Sequence, residues 1–585
     1  MNYSTVADVY NEMENTSKRL ELTAILSKLF TSTSNDIIDK VVYLTQGKLY
    51  PDFVDIEIGF ADKLVIKALS IISGLVPAEI NRIYNKFGDI GSAAEEILKS
   101  KSQTSLFFEE LSVRTVFDTL DKIAKSSGKG SVDLRIKLLN SLLNNASPME
   151  AKYVVRTAVG NLRLGIADYT VLDALALAYT GDKKNREHLE RAYNLSSDLG
   201  LVAKSVALKG LRGLEEFKVK VGNPIRPMLA ERLNSTSEII EKLGGKCASE
   251  YKLDGERVQI HYSQDKIKLF SRRLEDITAN YPDIEDLCKK KLNCKESILE
   301  GEIVAINAKS GKYLPFQELM HRRRIYGVKE AVKDYPISIN LFDALYIDGV
   351  DLIDSPYVER NSKLVNLVSS SKRIRVVPSK ITSTSEEIDS FLQKAISEGC
   401  EGLVVKALRG TYRAGAREFS WIKLKRDYEG EFGDSFDLVV VGAFHGHGKR
   451  TGKYGAFLLA AYDKAEDLYK TVCKVGTGFS DENLDEFPPL LTPFIINHCH
   501  VRVVSKMKAD IWFIPTVVME IMASEITLSP IHTAEMNSVR AGSGLALRFP
   551  KFTGRIRSDK SATDCTTTEE FLKMYQGQLK KVRLK

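Results

Sequence analysis

One lysine in this sequence has the surroundings of a candidate nucleophile. Lys252 lies in the segment Glu250-Tyr251-Lys252-Leu253-Asp254-Gly255-Glu256-Arg257, between two stretches that read as strands. A lysine amine attacks an electrophile once it has lost its proton. An Asp-Gly pair between two strands is also a common hairpin turn. Taken alone, the segment fits either interpretation.

Two acids follow within an apolar stretch. Glu300 and Glu302 lie in residues 298–306, and the period of two in a strand places both carboxylates on one face. Burying two acids is costly without a partner, which implies a nearby cation or a metal ion. The alternative is the exposed face of an edge strand.

An aromatic ring interrupts the polar face of a later strand. Ile337, Ile339 and Leu341 share one face, so Phe342 falls on the other face with Ser338 and Asn340. A ring on the solvated side of a strand is suited to stacking on a base. A second small core would produce the same pattern.

Two further strands carry charges that suit phosphate groups. Residues 401–406 begin with Glu401 and end with Lys406, and residues 421–425 place Lys423 and Lys425 on one face beside Trp421. The sequence has no glycine-rich phosphate loop of the Walker A type, because residues 128–130 lack both the spacing and the following Ser or Thr.

The elements that must hold these residues change character along the chain. Residues 1 to about 220 follow the helical stripe, for example at Leu22, Ile25, Leu26 and Leu29. A Gly/Pro-rich linker at 222–227 ends this part, and short alternating strands follow. A polar stretch near 427–434 separates them from a smaller strand-rich part.

Composition excludes several classes of protein. The 585 residues are 43% hydrophobic and 28% charged, which excludes a disordered chain, a fibre and a disulfide-stapled miniprotein. The net charge of +7 is too small to indicate nucleic acid by itself. Seven cysteines without a C-x-x-C pair read as reduced thiols of a cytoplasmic protein. No apolar run reaches the roughly 18 residues of a membrane helix, so no membrane is expected.

Together these segments resemble the ATP-dependent DNA ligases of the archaeal and eukaryotic replicative type, within the covalent nucleotidyltransferases. The K-x-D-G signature matches residues 252–255. The later signatures match, in order, residues 271–276, 300–302, 341–343, 401–406, 421–425 and 547–550 with 557–560. Glu300 stands where Asp is commoner in that family. Residues 156–165 and 191–194 resemble the family's DNA-binding domain.

The resemblance implies a multidomain α and α+β architecture. An all-helical DNA-binding domain would span residues 1–222. An ATP-grasp-like nucleotidyltransferase (adenylation) domain would span 223–427, and an OB-fold β-barrel 428–585.

The resemblance also implies a role for each candidate residue. Lys252 would be adenylylated, Glu250 would read the adenine amino group and Phe342 would stack on the base. Ribose, phosphate or metal contacts would fall to the remaining residues, which are Arg257, Arg272, Glu302, Glu401, Arg417, Lys423 and Lys425, with Glu302 and Glu401 as the metal ligands. Lys406 matches its motif, but in an ideal strand it faces away from Glu401. Asp559 and Lys560 would orient the pyrophosphate leaving group.

The implied activity is nick sealing in duplex DNA, with ATP and Mg²⁺ (or Mn²⁺), in replication, repair, recombination and cell division. A monomer in the cytoplasm of a prokaryote, of archaeal type, is expected. Gln103, Leu106, Phe107 and Phe108 resemble the sliding-clamp-binding box of archaeal ligases, and a buried helix turn is the alternative.

Four rival functions can be separated from this one. An RNA ligase or an mRNA-capping guanylyltransferase would share the lysine core but lack the helical part. An NAD-dependent ligase would need a cysteine cluster for zinc. A non-catalytic DNA clamp would need a broken motif, and none is broken. The sequence leaves open whether ADP or NAD also donates AMP.

Overall fold

A computed structural model gives the fold of the chain. It describes residues 1–16, 18–99, 109–164, 166–233, 235–263, 266–314, 316–322, 327–425 and 435–583. By packing, these fall into two compact units, one of residues 1–77 with 94–426 and one of 78–93 with 427–585. The two domain boundaries drawn from the sequence, near residues 222 and 428, remain predictions.

The N-terminal part is helical, as predicted. Leu22, Leu26 and Leu29 are buried along one stripe of α2, and Ile25 is half-buried beside them. Helix α9 begins with a capping box between Ser147 and Glu150. The helices are α1 (Tyr3–Glu14), α2 (Arg19–Ser32), α3 (Ile38–Thr45), α4 (Asp62–Ser73), α5 (Pro77–Phe87), α6 (Ile90–Lys99), α7 (Val113–Lys125), α8 (Ser131–Asn145), α9 (Pro148–Ala158), α10 (Asp168–Thr180), α11 (Arg186–Ser196), α12 (Leu199–Lys209) and α13 (Leu211–Leu214).

Two sheets form the central part. Their strands are β1 (Leu229–Arg232), β2 (Cys247–Lys252), β3 (Glu256–Ser263), β4 (Lys266–Ser271), β5 (Glu296–Ala305), β6 (Ile337–Ile347), β7 (Val350–Asp351), β8 (Ile374–Val376), β9 (Ser379–Thr382), β10 (Gly402–Ala407) and β11 (Arg417–Lys425). One sheet has the order β1-β11-β10-β2-β9, and the other β4-β3-β5-β6-β7 with β8 beside β6. The helices here are α14 (Thr236–Lys242), α15 (Pro282–Lys291), α16 (Phe316–Met320), α17 (Val328–Asp334), α18 (Tyr357–Leu367) and α19 (Ser385–Ser397).

The hairpin interpretation of Asp254-Gly255 is wrong. The strands on either side of it, β2 and β3, belong to different sheets, so the pair crosses from one sheet to the other. A Cβ at Gly255 would lie only 2.2 Å from the carbonyl oxygen of Ile303, so only glycine permits this close approach of β5. The crossing brings the end of β2 against the second sheet.

The C-terminal part is rich in strands, as predicted. Its main sheet has the order β15-β17-β12-β13-β14-β16, with β18 pairing both β12 and β21, and β19 pairs with β20. Its elements are β12 (Phe436–His445), β13 (Tyr454–Asp463), β14 (Leu468–Val475), α20 (Asp481–Leu491), β15 (Ile495–Ile496), β16 (Val503–Val504), β17 (Ile511–Phe513), β18 (Val518–Met522), β19 (Glu525–Ser529), β20 (Gly544–Arg548), β21 (Lys551–Ile556) and α21 (Thr568–Arg583).

Within these described ranges, no single helix is both long and apolar enough to cross a membrane.

Candidate active site

One face of the first central sheet carries four of the predicted residues, Glu250, Lys252, Lys406 and Lys423. In the antiparallel register of β2, β10 and β11, Glu250 lies opposite Val404, and Val404 lies opposite Lys423. Side chains two residues apart share a face, so neighbouring positions join the same pocket. The pocket is lined from this face by Glu250, Lys252, Val404, Lys406, Trp421 and Lys423.

Lys252 and Glu401 form an ion pair at this pocket. Lys252 Nζ lies 2.6 Å from Glu401 Oε2. The Glu401 backbone N–H also donates to the Lys252 carbonyl, at 2.8 Å. Glu401 precedes β10, and Gly402 after it has a φ of 151°, a conformation that favours glycine. The side chain of Glu401 therefore does not follow the alternation of the strand.

That geometry corrects the expectation that Lys406 faces away from Glu401, which assumed one ideal strand through both residues. Glu401 lies outside the strand, so its direction says nothing about residue 406. Lys406 is 1% exposed and its Nζ lies 2.7 Å from Glu250 Oε2. The same ammonium donates to the Phe342 carbonyl oxygen at 2.9 Å. It lies 4.3 Å from the centre of the Trp421 ring, so cation and aromatic ring attract one another.

Tyr357 completes the contacts of Glu250. Its hydroxyl donates to Glu250 Oε1, the carboxylate oxygen that Lys406 leaves free. Tyr357 begins α18, and a buried pair on the same helix ties it to β6. Arg360 Nε and Nη2 donate to the two oxygens of Asp343 at 2.7 and 3.0 Å. This bidentate pair fixes the helix and therefore the tyrosine.

The two acids of β5 lie on one face, as predicted, and a cation accompanies them. Arg257 Nη2 donates to Glu300 Oε2 at 2.7 Å, and Glu300 is 1% exposed. Burial raises the pKa of Glu302 to about 7, and the charges of Glu401 and Asp254 add to that rise. Lys252 and Arg257 act in the opposite direction. The interpretation of this face as an exposed edge is therefore wrong.

Phe342 reaches the pocket through an irregularity in its strand. The pairing of β5 with β6 shifts between Glu300, opposite Asp343, and Gly301, opposite Leu341, so Phe342 is the extra residue of a bulge. Bulges redirect side chains in this way. Ser338 and Asn340 on the same face are fully buried, so the predicted solvated face is wrong. Asn340 accepts hydrogen bonds there from Tyr313 and Arg375.

Three predicted cations line the remaining wall. Arg272 and Arg417 are exposed and Lys423 is half-buried, and all three line the pocket with Lys252. The side chain of Lys425 lies outside the described residues, so its predicted place is not tested. The pocket thus has an aromatic and acidic end at Glu250 and a basic wall.

Comparison with known proteins decides the family. Residues 2–176, 227–425 and 450–560 match the families described as DNA ligase N terminus, ATP dependent DNA ligase domain and ATP dependent DNA ligase C terminal region. The chain is 51% identical to a DNA ligase of Nitrosopumilus maritimus over 580 residues, which is 99% of each protein. The chain belongs to the ATP-dependent DNA ligases.

Further relatives agree over the whole length. This ligase is 50% identical to DNA ligase 2 of Thermofilum pendens, covering 99% of this chain and 98% of that one. The solved structure titled Pmar-Lig_PreS3 covers 94% of this chain at a TM-score of 0.56 and 18% identity, which supports the fold. The fold class is thus confirmed as a helical N-terminal region, a central adenylation domain and a C-terminal β-rich domain.

The acid pair of this ligase fits a hard divalent cation. Mg²⁺ is usually bound by one or two carboxylates, with phosphate oxygens and water completing its shell. Within the described residues, no group of three or more His, Cys, Asp or Glu forms a closed metal cage. Glu302 and Glu401 are a donor set of the expected size; burial raises the pKa of Glu302, and the charge of Glu401 adds to this rise.

The last signature of the ligase forms an ion cluster in the C-terminal unit. Asp437 on β12 accepts from Arg557 at 2.8 Å and from Lys560 at 2.6 Å. Arg557 also pairs with Asp559, and this hydrogen bond lowers the pKa of Asp559 to about 2. Asp559 and Lys560 are therefore both held by charged neighbours within their own unit.

Sequence reasoning gave no role to Trp421, which lines the pocket, and missed Tyr357, which contacts Glu250. Trp421 stands beside the predicted lysines, and its aromatic type was an available signal. Tyr357 gave no signal, because it comes from a helix 107 residues away from Glu250. The clamp-box residues Gln103, Leu106, Phe107 and Phe108 lie outside the described residues.

Proposed function

We propose that Lys252 carries the chemistry of this DNA ligase by becoming covalently linked to AMP. The observation that supports this most is its ion pair with Glu401 at the pocket that Lys252 and Glu302 both line. A lysine amine held by a carboxylate beside a basic wall suits attack on a phosphate. The product would be AMP joined to Lys252 Nζ by a phosphoramidate bond.

The proposed reaction has three displacements at phosphorus. Lys252 Nζ loses a proton and bonds to the α-phosphorus of ATP, and the bond to the pyrophosphate oxygen breaks. An oxygen of the 5′-phosphate at a nick then attacks the same phosphorus, and the N–P bond breaks. Finally the 3′-hydroxyl loses its proton and attacks the 5′-phosphorus, which releases AMP and closes the strand. Positioning and charge stabilisation supply most of the catalysis in such transfers.

Glu401 would orient the amine for the first step. Its carboxylate is 2.6 Å from Lys252 Nζ, within reach of the proton that the amine must lose. The backbone bond from Glu401 to the Lys252 carbonyl keeps the two residues in register. Glu401 is therefore proposed as both an orienting group and a metal ligand.

The far end of the pocket would select adenine. Glu250 is an acceptor and Lys406 is a donor, and they lie side by side. Adenine presents a donor amino group at position 6 and an acceptor nitrogen at position 1, which complements this order. Guanine presents an acceptor oxygen at position 6 and a donor at position 1, so acceptor would face acceptor. Phe342 would stack on the base.

Arg257 would contact the ribose, and the basic residues of the outer wall would contact the phosphates. Within the described part of the chain, Arg257 Nε is a buried donor without a hydrogen-bond partner, which favours an acceptor supplied by substrate. Arg272, Arg417, Lys423 and Lys425 would neutralise phosphate charge along the wall.

Glu302 and Glu401 would hold Mg²⁺, with Mn²⁺ as the alternative. The ion supplies neutralisation of charge on the phosphate oxygens when it is bound. Glu302 must be ionised to act as a ligand, so its raised pKa links metal binding to pH.

A sliding clamp is the proposed protein partner, through Gln103, Leu106, Phe107 and Phe108. The ligase is proposed to act as a monomer, in the cytoplasm. Clamp binding that is unchanged in the double variant Phe107→Ala, Phe108→Ala would exclude this segment as the contact.

The decisive experiment is transfer of label from α-labelled ATP to the protein. We expect a labelled adduct with the unchanged chain and none with Lys252→Ala. Lys246→Ala, at an exposed lysine outside the pocket, is the matched control and should label normally. An adduct on the Lys252→Ala protein would show that another residue is the nucleophile. Activity on nicked duplex DNA but not on nicked RNA separates this function from that of an RNA ligase.

A further inference from the structure

The segment that follows the helical region is held from two sides. We call residues 222–228 the connecting segment. On the helical side, Ser197 Oγ donates to the Pro224 carbonyl at 2.6 Å and the Arg226 N–H donates to the Asn194 carbonyl at 2.9 Å. On the sheet side, the Gly222 N–H donates to His261 Nδ1 at 2.9 Å and the Ile225 N–H donates to Gln259 Oε1 at 2.7 Å. The stretch predicted as a linker, residues 222–227, is therefore docked on both sides.

The donors and acceptors on the sheet side allow one arrangement. His261 Nδ1 accepts from Gly222, so the proton of the neutral ring lies on Nε2 and is donated to Gln259 Oε1 at 2.9 Å. Burial lowers the pKa of His261 to about 3, and Lys268 contributes to this, so the ring stays neutral at physiological pH. Gln259 Nε2 then donates to the Ile225 carbonyl at 3.0 Å and to Glu300 Oε1 at 3.4 Å.

The same chain of bonds ends in the nucleotide pocket and returns to the connecting segment. Glu300 Oε2 accepts from Arg257, whose other terminal nitrogen donates to the Met228 carbonyl at 2.7 Å. The Arg257 guanidinium lies 5.4 Å from the centre of the Phe342 ring. We call His261, Gln259, Glu300 and Arg257 the relay. Gln259, His261 and Glu300 are each less than 5% exposed, so breaking one of these hydrogen bonds would leave buried polar groups without water to replace it, at a cost in free energy.

We propose that Gln259 and His261 are positioning residues that couple nucleotide binding to the docking of the connecting segment. This inference rests on the proposed function, in which ATP occupies the pocket and contacts Arg257. Arg257 bonds to the segment through Met228 and to the relay through Glu300, so a ligand that fixes Arg257 also favours the docked segment. By thermodynamic reciprocity, a docked segment favours the ligand by the same factor.

The connecting segment lies in the chain between α13 and β1, so its docking affects the helical region as well as the sheet. Asn194 and Ser197, which hold the segment on the other side, lie at the end of α11. Nucleotide binding would thereby reach the helical region before any DNA is bound. A role confined to stabilising β3 would not produce such a link.

The test uses trypsin, because Lys220 is exposed two residues before the docked Gly222. The full chain is cleaved with and without α,β-methylene-ATP, which can bind but cannot transfer AMP. We expect the ligand to slow cleavage after Lys220 by at least about fivefold. In Gln259→Leu this protection should fall below about twofold, and the Kd of the analogue should rise about fivefold or more by the same reciprocity.

Three further variants separate positioning from folding. Ile260→Val alters the same strand on its opposite, buried face and should keep full protection even if the protein melts earlier. His261→Asn retains an acceptor for the Gly222 N–H and should restore part of the protection that His261→Ala loses. Equal protection in Gln259→Leu, Ile260→Val and the unchanged chain would overturn the inference.

Amide hydrogen exchange keeps the test decisive if Gln259→Leu does not fold. In the unchanged chain, exchange of the Gly222 and Ile225 amides should slow when the analogue binds. If the chain forms the AMP adduct but these amides and the Lys220 cleavage do not respond, the coupling is wrong and the proposed function stands. If no adduct forms on Lys252, both fail.

Discussion

Lys252 Nζ lies 2.6 Å from Glu401 Oε2, although Glu401 comes from a different strand connection 149 positions later in the chain. The contact depends on Gly402, whose φ of 151° lets Glu401 turn toward the end of β2. The nucleophile of the proposed reaction is thus oriented by a residue that lies outside the regular strand.

Replacing this partner should impair the first step. We expect Glu401→Gln to slow formation of the AMP adduct by roughly 10–100-fold, because both the orientation of Lys252 and a metal contact are lost. The measurement is single-turnover labelling with α-labelled ATP. Glu398→Gln is the control, since Glu398 is exposed and its carboxylate accepts a hydrogen bond from the Tyr251 hydroxyl, not from Lys252. Equal slowing in both variants would contradict the assignment.

The raised pKa of Glu302 predicts a pH-dependent need for metal. Above about pH 7 the carboxylate is ionised and can bind Mg²⁺, and below it the proton competes with the ion. The Mg²⁺ concentration for half-maximal adduct formation should therefore rise about tenfold for each pH unit below 7. Titrations of Mg²⁺ between pH 6 and pH 8 measure this. In Glu302→Gln the Mg²⁺ concentration for half-maximal adduct formation should no longer change with pH in this way. An unchanged pH dependence would show that another residue is the titrating ligand.

The paired Glu250 and Lys406 predict how the base is discriminated. We expect kcat/KM for adduct formation to be at least about 100-fold higher with ATP than with GTP or ITP. In both GTP and ITP the acceptor oxygen at position 6 of the base would face the Glu250 carboxylate, which is also an acceptor. ITP lacks the 2-amino group of GTP and so separates hydrogen-bond pattern from steric exclusion. Efficient use of ITP together with rejection of GTP would show that shape, not the Glu250–Lys406 pair, selects the base.

The C-terminal signature should matter for the first step more than for the last. We expect Asp559→Asn and Lys560→Ala to slow adduct formation at least about tenfold while sealing of a pre-adenylylated nick changes less, because their proposed role is to orient pyrophosphate. Arg555→Ala is the control, since Arg555 is an exposed basic residue close to this signature whose guanidinium pairs with Glu520 instead of Asp437. Equal loss in both assays would assign these residues to DNA contact instead.

The sequence predicted the elements and the chemical types of the site well. Strand periodicity placed Glu300 and Glu302 on one face and implied a nearby cation or metal ion, and the structure pairs Arg257 with Glu300. It failed where local geometry departs from an ideal strand. The expectation that Lys406 faces away from Glu401 assumed that Glu401 belongs to β10. The hairpin interpretation of Asp254-Gly255 assumed that β2 and β3 pair with each other. Both errors arise because periodicity describes only regular elements.

The order and spacing of short motifs along the chain by themselves determined the family, and therefore the activity and the identity of Lys252 as the candidate nucleophile. Such motifs are local, so one sequence displays them. Only the tertiary structure decided which residues meet. Tyr357 reaches Glu250 across 107 positions, and Gln259 and His261 dock the connecting segment. Contacts of this kind depend on how sheets pack and where buried donors find acceptors, which no local pattern records.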